Sequence, residues 1–311
     1  MMRILITGGA GSLGSNIVEH YLPQGHEILV LDNFATSNPD VFPAEIDRLT
    51  VIEGSITDVA LIDQLFTDFQ PSHVIHSAAS YKDIRDWKGD AKTNIEGAIN
   101  VVEAALKQNV KRFINFQTAL CYGRPSTVPI PVTHPVQPFT SYAISKTAGE
   151  QYLALSGLPY VSLRLANITG PRLSIGPIPT FYSRLKEGKP CFASETIRDF
   201  LDMRDFLDLL DLVMDESASR GLFNVSTGEG KSIENVFNAV TKYLGIELDN
   251  PVEVRPVGDD DVPAVVLDPS KTEKIFGWKA KISFEETINR MLQWYEQYGV
   301  GHIYSHLSSS K

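Results

Sequence analysis

The chain has 311 residues and a formal net charge of −10, with no run of lysine or arginine, which argues against nucleic acid or an anionic membrane as its main partner. With 43% hydrophobic and 21% charged residues it is not a disordered chain but one long enough for a full α/β core and a smaller attached lobe. The two cysteines, Cys121 and Cys191, are expected as buried thiols in a reducing compartment. The N-terminus runs within a few residues into a glycine-rich turn, without the apolar region of a leader. No apolar stretch approaches the ~20 residues that cross a bilayer, so the expected location is cytoplasmic.

In chain order, the first predicted strand is Arg3–Thr7, followed at once by Gly8-Gly9-Ala10-Gly11-Ser12-Leu13-Gly14 and a helix over Ser12–Leu22. In this spacing Gly8 permits the tight turn, Gly11 lets the backbone approach a pyrophosphate, and Gly14 lets helix and strand pack closely. The N–H groups of the first turn, at Ser12 and Leu13, then face the phosphates. The second strand, Glu27–Leu31, runs into Asp32-Asn33. A carboxylate here accepts hydrogen bonds from the adenosine ribose and repels a 2′-phosphate, which favours NAD over NADP.

A strand at Thr50–Glu53, a helix at Val59–Phe69, a strand at His73–His76, a helix at Asp90–Gln108 and a strand at Arg112–Phe116 continue the alternation of a doubly wound parallel sheet. His76 is read as a packed strand end, and none of the seven histidines has metal-ligand spacing. Just beyond the fifth strand, Thr118 places a hydroxyl at the edge of the sheet. The next helix, Ser141–Ser156, carries Tyr142 and Lys146 one turn apart on one face. Free tyrosine, with a pKa near 10, is a poor base at neutral pH, but a nearby ammonium and a cationic nicotinamide ring stabilise its phenolate. After the strand Tyr160–Leu165 and Gly170-Pro171 the rhythm changes to proline-rich loops, short helices and isolated strands. Residues 1–170 are therefore expected to form the cofactor domain, with parts of 197–230 returning to it, and residues 171–311 mainly a substrate-binding lobe. The tail from Gly301 to Lys311 carries no readable signal.

These motifs together resemble the extended short-chain dehydrogenase/reductases of the NAD-dependent epimerase/dehydratase family that act on sugar nucleotides. The resemblance spans nearly the whole chain: the glycine turn, Leu31-Asp32-Asn33, His76-Ser77-Ala78-Ala79, Asn94-Ile95-Glu96-Gly97, Thr118 with Tyr122-Gly123, Tyr142 with Lys146, Leu163 to Gly170, and Arg198-Asp199-Phe200. The stretch Gln117 to Pro125 is most similar to members from bacterial surface-polysaccharide clusters. The resemblance implies a Rossmann fold with a smaller α/β lobe. It also implies a cycle in which Tyr142 removes the proton from a sugar 4-hydroxyl while NAD oxidises C4. It further implies that Ser55, Ile56, Ala78, Ala79 and Lys146 line the cofactor, that Lys82, Thr118, Asn167, Arg198 and Val265 meet the substrate, and that the subunits pair through a four-helix interface.

Within the family, dehydrating members are similar in carrying an acidic pair after the catalytic threonine, and decarboxylating members in carrying a glutamate there. This chain has Ala119 and Leu120, which exchange no protons, so 4-epimerisation of a UDP-hexose, a UDP-N-acetylhexosamine or a uronic acid is the leading expectation. A net oxidoreductase or dehydratase of a sugar nucleotide, and a catalytically silent NAD-binding protein, stand as alternatives. The chain departs from the family in three places. Ser55 stands where an adenine-binding aspartate is usual, and the hairpin before Arg198 is shortened to Cys191–Ile197. The expected second phosphate-binding arginine is replaced by Arg255, three residues too early. Val265 stands where strict hexose epimerases carry a bulky aromatic, which leaves room for an N-acetyl group.

Overall fold

A computed structural model describes residues 1–42, 46–81, 83–258 and 261–301. Fourteen short strands and ten helices account for most of these residues. The strands are β1 (Arg3–Thr7), β2 (Glu27–Asp32), β3 (Leu49–Glu53), β4 (His73–His76), β5 (Arg112–Thr118), β6 (Tyr160–Leu165), β7 (Asn167–Thr169), β8 (Phe192–Ser194), β9 (Ile197–Arg198), β10 (Phe200–Asp202), β11 (Gly221–Val225), β12 (Lys231–Ser232), β13 (Glu253–Arg255) and β14 (Ala264–Val265). The helices are α1 (Ser12–Tyr21), α2 (Val59–Phe69), α3 (Trp87–Ala91), α4 (Ala98–Lys107), α5 (Ser141–Leu155), α6 (Pro177–Lys186), α7 (Met203–Met214), α8 (Ile233–Leu244), α9 (Ser270–Phe276) and α10 (Phe284–Tyr298).

Seven strands form one sheet in the order β11-β6-β5-β4-β1-β2-β3, every pair parallel. Its inner strands are buried on both faces because helices cover both, as a parallel sheet requires. Ile4, Ile6, Val30, Ile75, Ile114 and Leu163 pack towards α1 and α7, while Leu5, Leu29, Val74 and Phe113 pack towards α2 and α4. The strand order reverses between β1 and β4, and the carboxyl ends beside that switch point carry Thr7, Asp32, His76 and Thr118. An open α/β sheet binds its ligand along this edge.

The expected helix Asp90–Gln108 is α3 and α4 joined by a π-helical stretch, Lys92–Gly97. Such a widened turn re-aims the side chains that follow it. The predicted helix over Ser12–Leu22 ends at Tyr21, and a 3-10 turn at Leu22–Gln24 follows with Pro23 inside it. A second core, built from α6, α8 and α10, holds Ile178, Phe181, Phe237, Val240, Ile288 and Leu292. A third cluster, with Ala119, Cys121, Tyr122, Ile130, Val265 and Leu267, seals the end of β5 against the C-terminal segment. Among the described residues no helix is long and apolar enough to cross a membrane. Cys121 is fully buried, and burial pushes its thiol up to about 12. Cys191 corrects the expectation of two buried thiols, because it is only partly covered.

Candidate active site

The glycine turn is built for close approach. Gly8 has φ +66, and a Cβ there would lie 2.7 Å from the Cα of Ala78, so no other residue fits between β1 and the end of β4. A Cβ on Gly14 would lie 2.4 Å from the Cα of Gly9, so the helix packs directly on the glycine turn. Helix α1 starts without a side-chain cap and without an acidic residue in its first turn, so the N–H groups of Ser12, Leu13 and Gly14 face an uncovered positive helix end. The cradle fits a dinucleotide pyrophosphate.

Asp32 is 8% exposed at the end of β2. Its Oδ2 accepts from the Ala10 N–H at 2.9 Å, and its Oδ1 accepts from the Phe34 N–H and the Ser37 hydroxyl, both at 2.9 Å. A carboxylate offers about four acceptor positions, so one remains for a ribose hydroxyl. Asn33 is exposed beside it, and its Oδ1 caps the Ala35 N–H at 3.1 Å. Ser55, expected at the adenine end, turns inward on its own loop: its hydroxyl pairs with Thr57 Oγ1 at 2.9 Å and accepts from the Thr57 N–H at 3.2 Å. Ile56 is buried against Gly97, and its carbonyl accepts from Asn100 Nδ2 at 3.0 Å. We expect Asp32→Asn, which removes the charge and keeps an acceptor, to lower the ratio of NAD to NADP affinity about tenfold, the order of one charge-assisted hydrogen bond. Calorimetric titration with both dinucleotides checks this, and an unchanged ratio contradicts the role of Asp32.

Thr118 ends β5 and caps the 3-10 turn Ala119–Tyr122, its Oγ1 accepting from the Leu120 N–H at 3.2 Å. The hydroxyl proton is thereby left to donate outward. Ala119 and Leu120, buried and half-buried, present no ionisable group. Helix α5 opens on Thr140, whose side chain accepts from the Ala143 N–H, and this cap places Tyr142 in the first turn and Lys146 in the next. Tyr142 lies edge-on to Tyr81 with centroids 6.0 Å apart. Burial, aided by Tyr81 and Asp90, pushes the Tyr142 phenol above its usual range. Lys146 is 5% exposed, and burial lowers its ammonium from 10.5 to about 8.

The protein alone therefore disfavours both charges, and an added positive group would favour the phenolate of Tyr142. His76, buried behind them, pairs with Thr7 Oγ1 at 2.8 Å and is pushed down to about 3 by burial and by Lys146, so it packs as a neutral imidazole.

A buried lysine costs stability. Its folded pKa lies below the unfolded value, so the unfolded chain holds the extra proton between about 8 and 10.5, and stability rises with pH across that window. Lys146→Met in the NAD-free protein should raise unfolding stability at neutral pH by about 3 kcal/mol, with the gain shrinking as pH climbs through the window. Urea unfolding measures this, and a methionine variant less stable than the wild type at neutral pH contradicts it.

The expected substrate residues are only partly gathered. Asn167, exposed on β7, donates from Nδ2 to the Asp199 carbonyl at 3.0 Å. Arg198 pairs with none of its acidic sequence neighbours. Its Nη2 donates to Asp261 Oδ1 at 2.6 Å, and its Nη1 donates to the carbonyls of Ile197 and Val262, both at 2.8 Å. The carboxylate of Asp199 instead accepts from Thr227 and Gly228, Asp202 pairs with Arg204, and Asp205 caps Lys281 and Ile282. Val265 is buried within the cluster at the end of β5. Arg255 is tied to Glu253 and stacked 3.8 Å over Phe192, at the surface. Lys82, Asp259, Asp260 and the tail after Gly301 lie outside the described residues. Among the described residues no cluster of His, Cys, Asp and Glu could hold a metal.

Three polar residues that the motifs did not single out for a role hold this edge together. Asn94 accepts from the Ser80 N–H at 2.8 Å and donates to the Ser80 carbonyl and to Ser145 Oγ, tying the loop after β4 to α5. Gln117 and Glu150 are the others. They sit among other polar residues of their elements and their partners are distant in sequence, so no local pattern marks them.

Residues 4–226 match the profile of the NAD dependent epimerase/dehydratase family. The solved structure of the Bordetella bronchiseptica enzyme WbmG in complex with NAD and UDP is 63% identical, covers 99% of this chain and 98% of its own, and superposes with a TM-score of 0.93. The UDP-glucose 4-epimerase of Thermotoga maritima, solved with UDP-glucose, is 30% identical over 94% of this chain and 98% of its own, with a TM-score of 0.86. A UDP-glucose 4-epimerase of Halalkalibacterium halodurans is 27% identical over 97% of this chain and 98% of its own.

Proposed function

We propose that this chain, which belongs to the NAD dependent epimerase/dehydratase family, inverts C4 of a UDP-sugar through a transient 4-keto sugar. The observation that carries the reading is the edge itself. The Thr118 hydroxyl has its proton free to donate, Tyr142 and Lys146 stand a turn apart on α5, and the two residues after Thr118, Ala119 and Leu120, carry no acid or base to drive elimination.

Bound NAD supplies the acceptor and later donor of two electrons at C4, together with a cationic ring. Thr118 donates a hydrogen bond to the sugar O4 and fixes its place. Tyr142, as phenolate, takes the proton of the 4-hydroxyl and returns it when the keto group is reduced on its other face. Lys146 holds the phenolate with its ammonium, which would also donate to the cofactor's ribose. Gly8, Gly11, Ser12, Leu13 and Gly14 seat the pyrophosphate. Asp32 and Asn33 hold the adenosine ribose, Ser55 and Ile56 flank the adenine, and Ala78 and Ala79 leave room beside the nicotinamide.

For the substrate, Lys82 and Asn167 meet the sugar and diphosphate, and Val265 leaves space for an N-acetyl group. Arg198 exchanges Asp261 for a phosphate, since a guanidinium fork prefers two oxyanion contacts on one phosphate to one carboxylate oxygen. Residues 1–170 with parts of 197–230 serve the cofactor, and residues 171–311 mainly the sugar nucleotide. The relatives solved with UDP or UDP-glucose support uridine as the base.

The protein is read as a cytoplasmic enzyme of surface-polysaccharide synthesis. It is also read as a homodimer paired through α3, α4 and α5, where Trp87, Leu106, Ile144, Tyr152 and Leu155 stand exposed. A thermal-shift screen of the NAD-loaded protein with UDP-, GDP-, dTDP- and CDP-sugars tests the substrate class. The largest stabilisation is expected from a UDP-sugar, and a preference for another base overturns that part.

A further inference from the structure

Strand β5 ends Phe116-Gln117-Thr118, and its alternation sends successive side chains to opposite faces of the sheet. Phe116 meets Phe206 of α7 edge-on with centroids 5.4 Å apart, and Gln117 points the other way, beneath α5. Only 2% of Gln117 is exposed, so both ends of its amide need partners inside the protein. Both partners are main-chain groups of site residues. Its Oε1 accepts from the Thr118 N–H at 2.7 Å, and its Nε2 donates to the Lys146 carbonyl at 3.0 Å. A carbonyl in the interior of an α-helix already serves the amide four residues on, so the bond from Gln117 is an addition to the helix ladder. One planar amide thus joins the end of β5 to the turn of α5 that carries Lys146, with Tyr142 one turn earlier.

We propose that Gln117 is a positioning residue: its buried amide sets the separation between the Thr118 hydroxyl and the helix that bears Tyr142 and Lys146. The inference rests on the reading of these three residues as the C4 oxidation site. Gln117 reaches neither sugar nor cofactor and acts through the two main-chain groups it clamps. Thr118 and Tyr142 must meet the same sugar oxygen at hydrogen-bond distance, about 2.6–3.2 Å from each. A displacement of about 1 Å at such a site lowers the rate by ~10²-fold. One hydrogen bond from strand to helix and one that fixes the amide against the Thr118 N–H, rather than packing alone, hold that tolerance.

The test compares Gln117→Leu with Asn115→Leu. Asn115 lies two residues earlier on the same face of β5, is 5% exposed, and donates to Ser162 Oγ on β6 at 2.9 Å rather than to a site residue. It therefore reports the cost of losing a buried amide as such. In Gln117→Leu, kcat should fall by ~10²-fold with KM for the UDP-sugar within about twofold, retained NAD, and a loss of melting temperature no larger than in Asn115→Leu. Equal losses of kcat in the two variants overturn the proposal. Crystal structures of both variants and the wild type with NAD give a readout independent of turnover. The distance from Thr118 Oγ1 to Tyr142 Oη should lengthen in Gln117→Leu alone, and an unchanged distance also overturns the proposal. Should the wild type convert no UDP-sugar, the functional reading fails by itself, while this distance still decides what Gln117 holds.

Discussion

Tyr142→Phe should lower kcat by about 10²–10⁴-fold, the usual worth of a positioned general base, while leaving NAD bound. The phenol of Tyr142, in the first turn of α5, is the group assigned to proton transfer. Phenylalanine keeps the ring against Tyr81 and removes only the hydroxyl. Since burial and neighbouring acidic groups raise the phenol's pKa, the wild-type rate should depend on pH through the stabilisation that Lys146 and the cationic ring provide. The variant should lose that dependence along with its rate. Product NMR on a responding UDP-sugar, with calorimetry for NAD, measures both. A variant that keeps more than a tenth of the wild-type turnover contradicts the role given to Tyr142.

The second large effect is on stability. Glu150 lies one turn beyond Lys146 and forms a buried pair with Arg164, 2.7 Å between Oε2 and Nη2, with both side chains about 5% exposed. Glu150 Oε1 also accepts from Ser162 Oγ at 2.6 Å. Arg164 Nη1 donates to the Tyr122 hydroxyl at 3.0 Å, and that hydroxyl donates to Asn224 at 2.7 Å. The network crosses from α5 through β6 to β11 and, through the Asn224 bond to the Ile130 carbonyl, to the cluster that seals the end of β5. Glu150→Gln leaves the guanidinium buried without its counter-charge and should cost about 3–5 kcal/mol. A second replacement, Arg164→Met, should restore much of the loss, because an apolar pair of similar volume avoids burying either charge. Denaturant unfolding of both proteins decides this, and a Glu150→Gln variant within about 1 kcal/mol of the wild type contradicts it. The carboxylate is also the group that favours the Lys146 ammonium against burial, so the same variant should shift the acid–base behaviour of the site.

What the sequence displayed was local. Arg3–Thr7, His73–His76 and Tyr160–Leu165 are short, largely β-branched and apolar runs, and strands covered on both faces look this way before any fold is known. Gly8 and Gly14 were legible because only glycine tolerates a backbone at 2.7 or 2.4 Å. Tyr142 and Lys146 were legible through helical spacing. What depends on distant pairing was not. Strand β11 is five residues, Gly-Leu-Phe-Asn-Val, and its place in the sheet comes from pairing with β6.

The clamp of Gln117 spans 29 residues to Lys146, and the partner of Arg198 lies 63 residues on, at Asp261 rather than at the aspartates beside it in sequence. The π-helical stretch at Lys92–Gly97 breaks no polar pattern and so left no mark on the periodicity. Cys191 looked like a second core thiol only because composition says nothing of where a loop meets solvent.

The most direct test of the central claim is proton NMR of UDP-sugars incubated with the protein and NAD far below the sugar concentration, while reduced-nicotinamide absorbance is followed in the same sample. Many turnovers to the C4 epimer, approached from either side, are expected with no net rise in that absorbance. A rise in proportion to the sugar consumed, or a product altered anywhere but at C4, would contradict it.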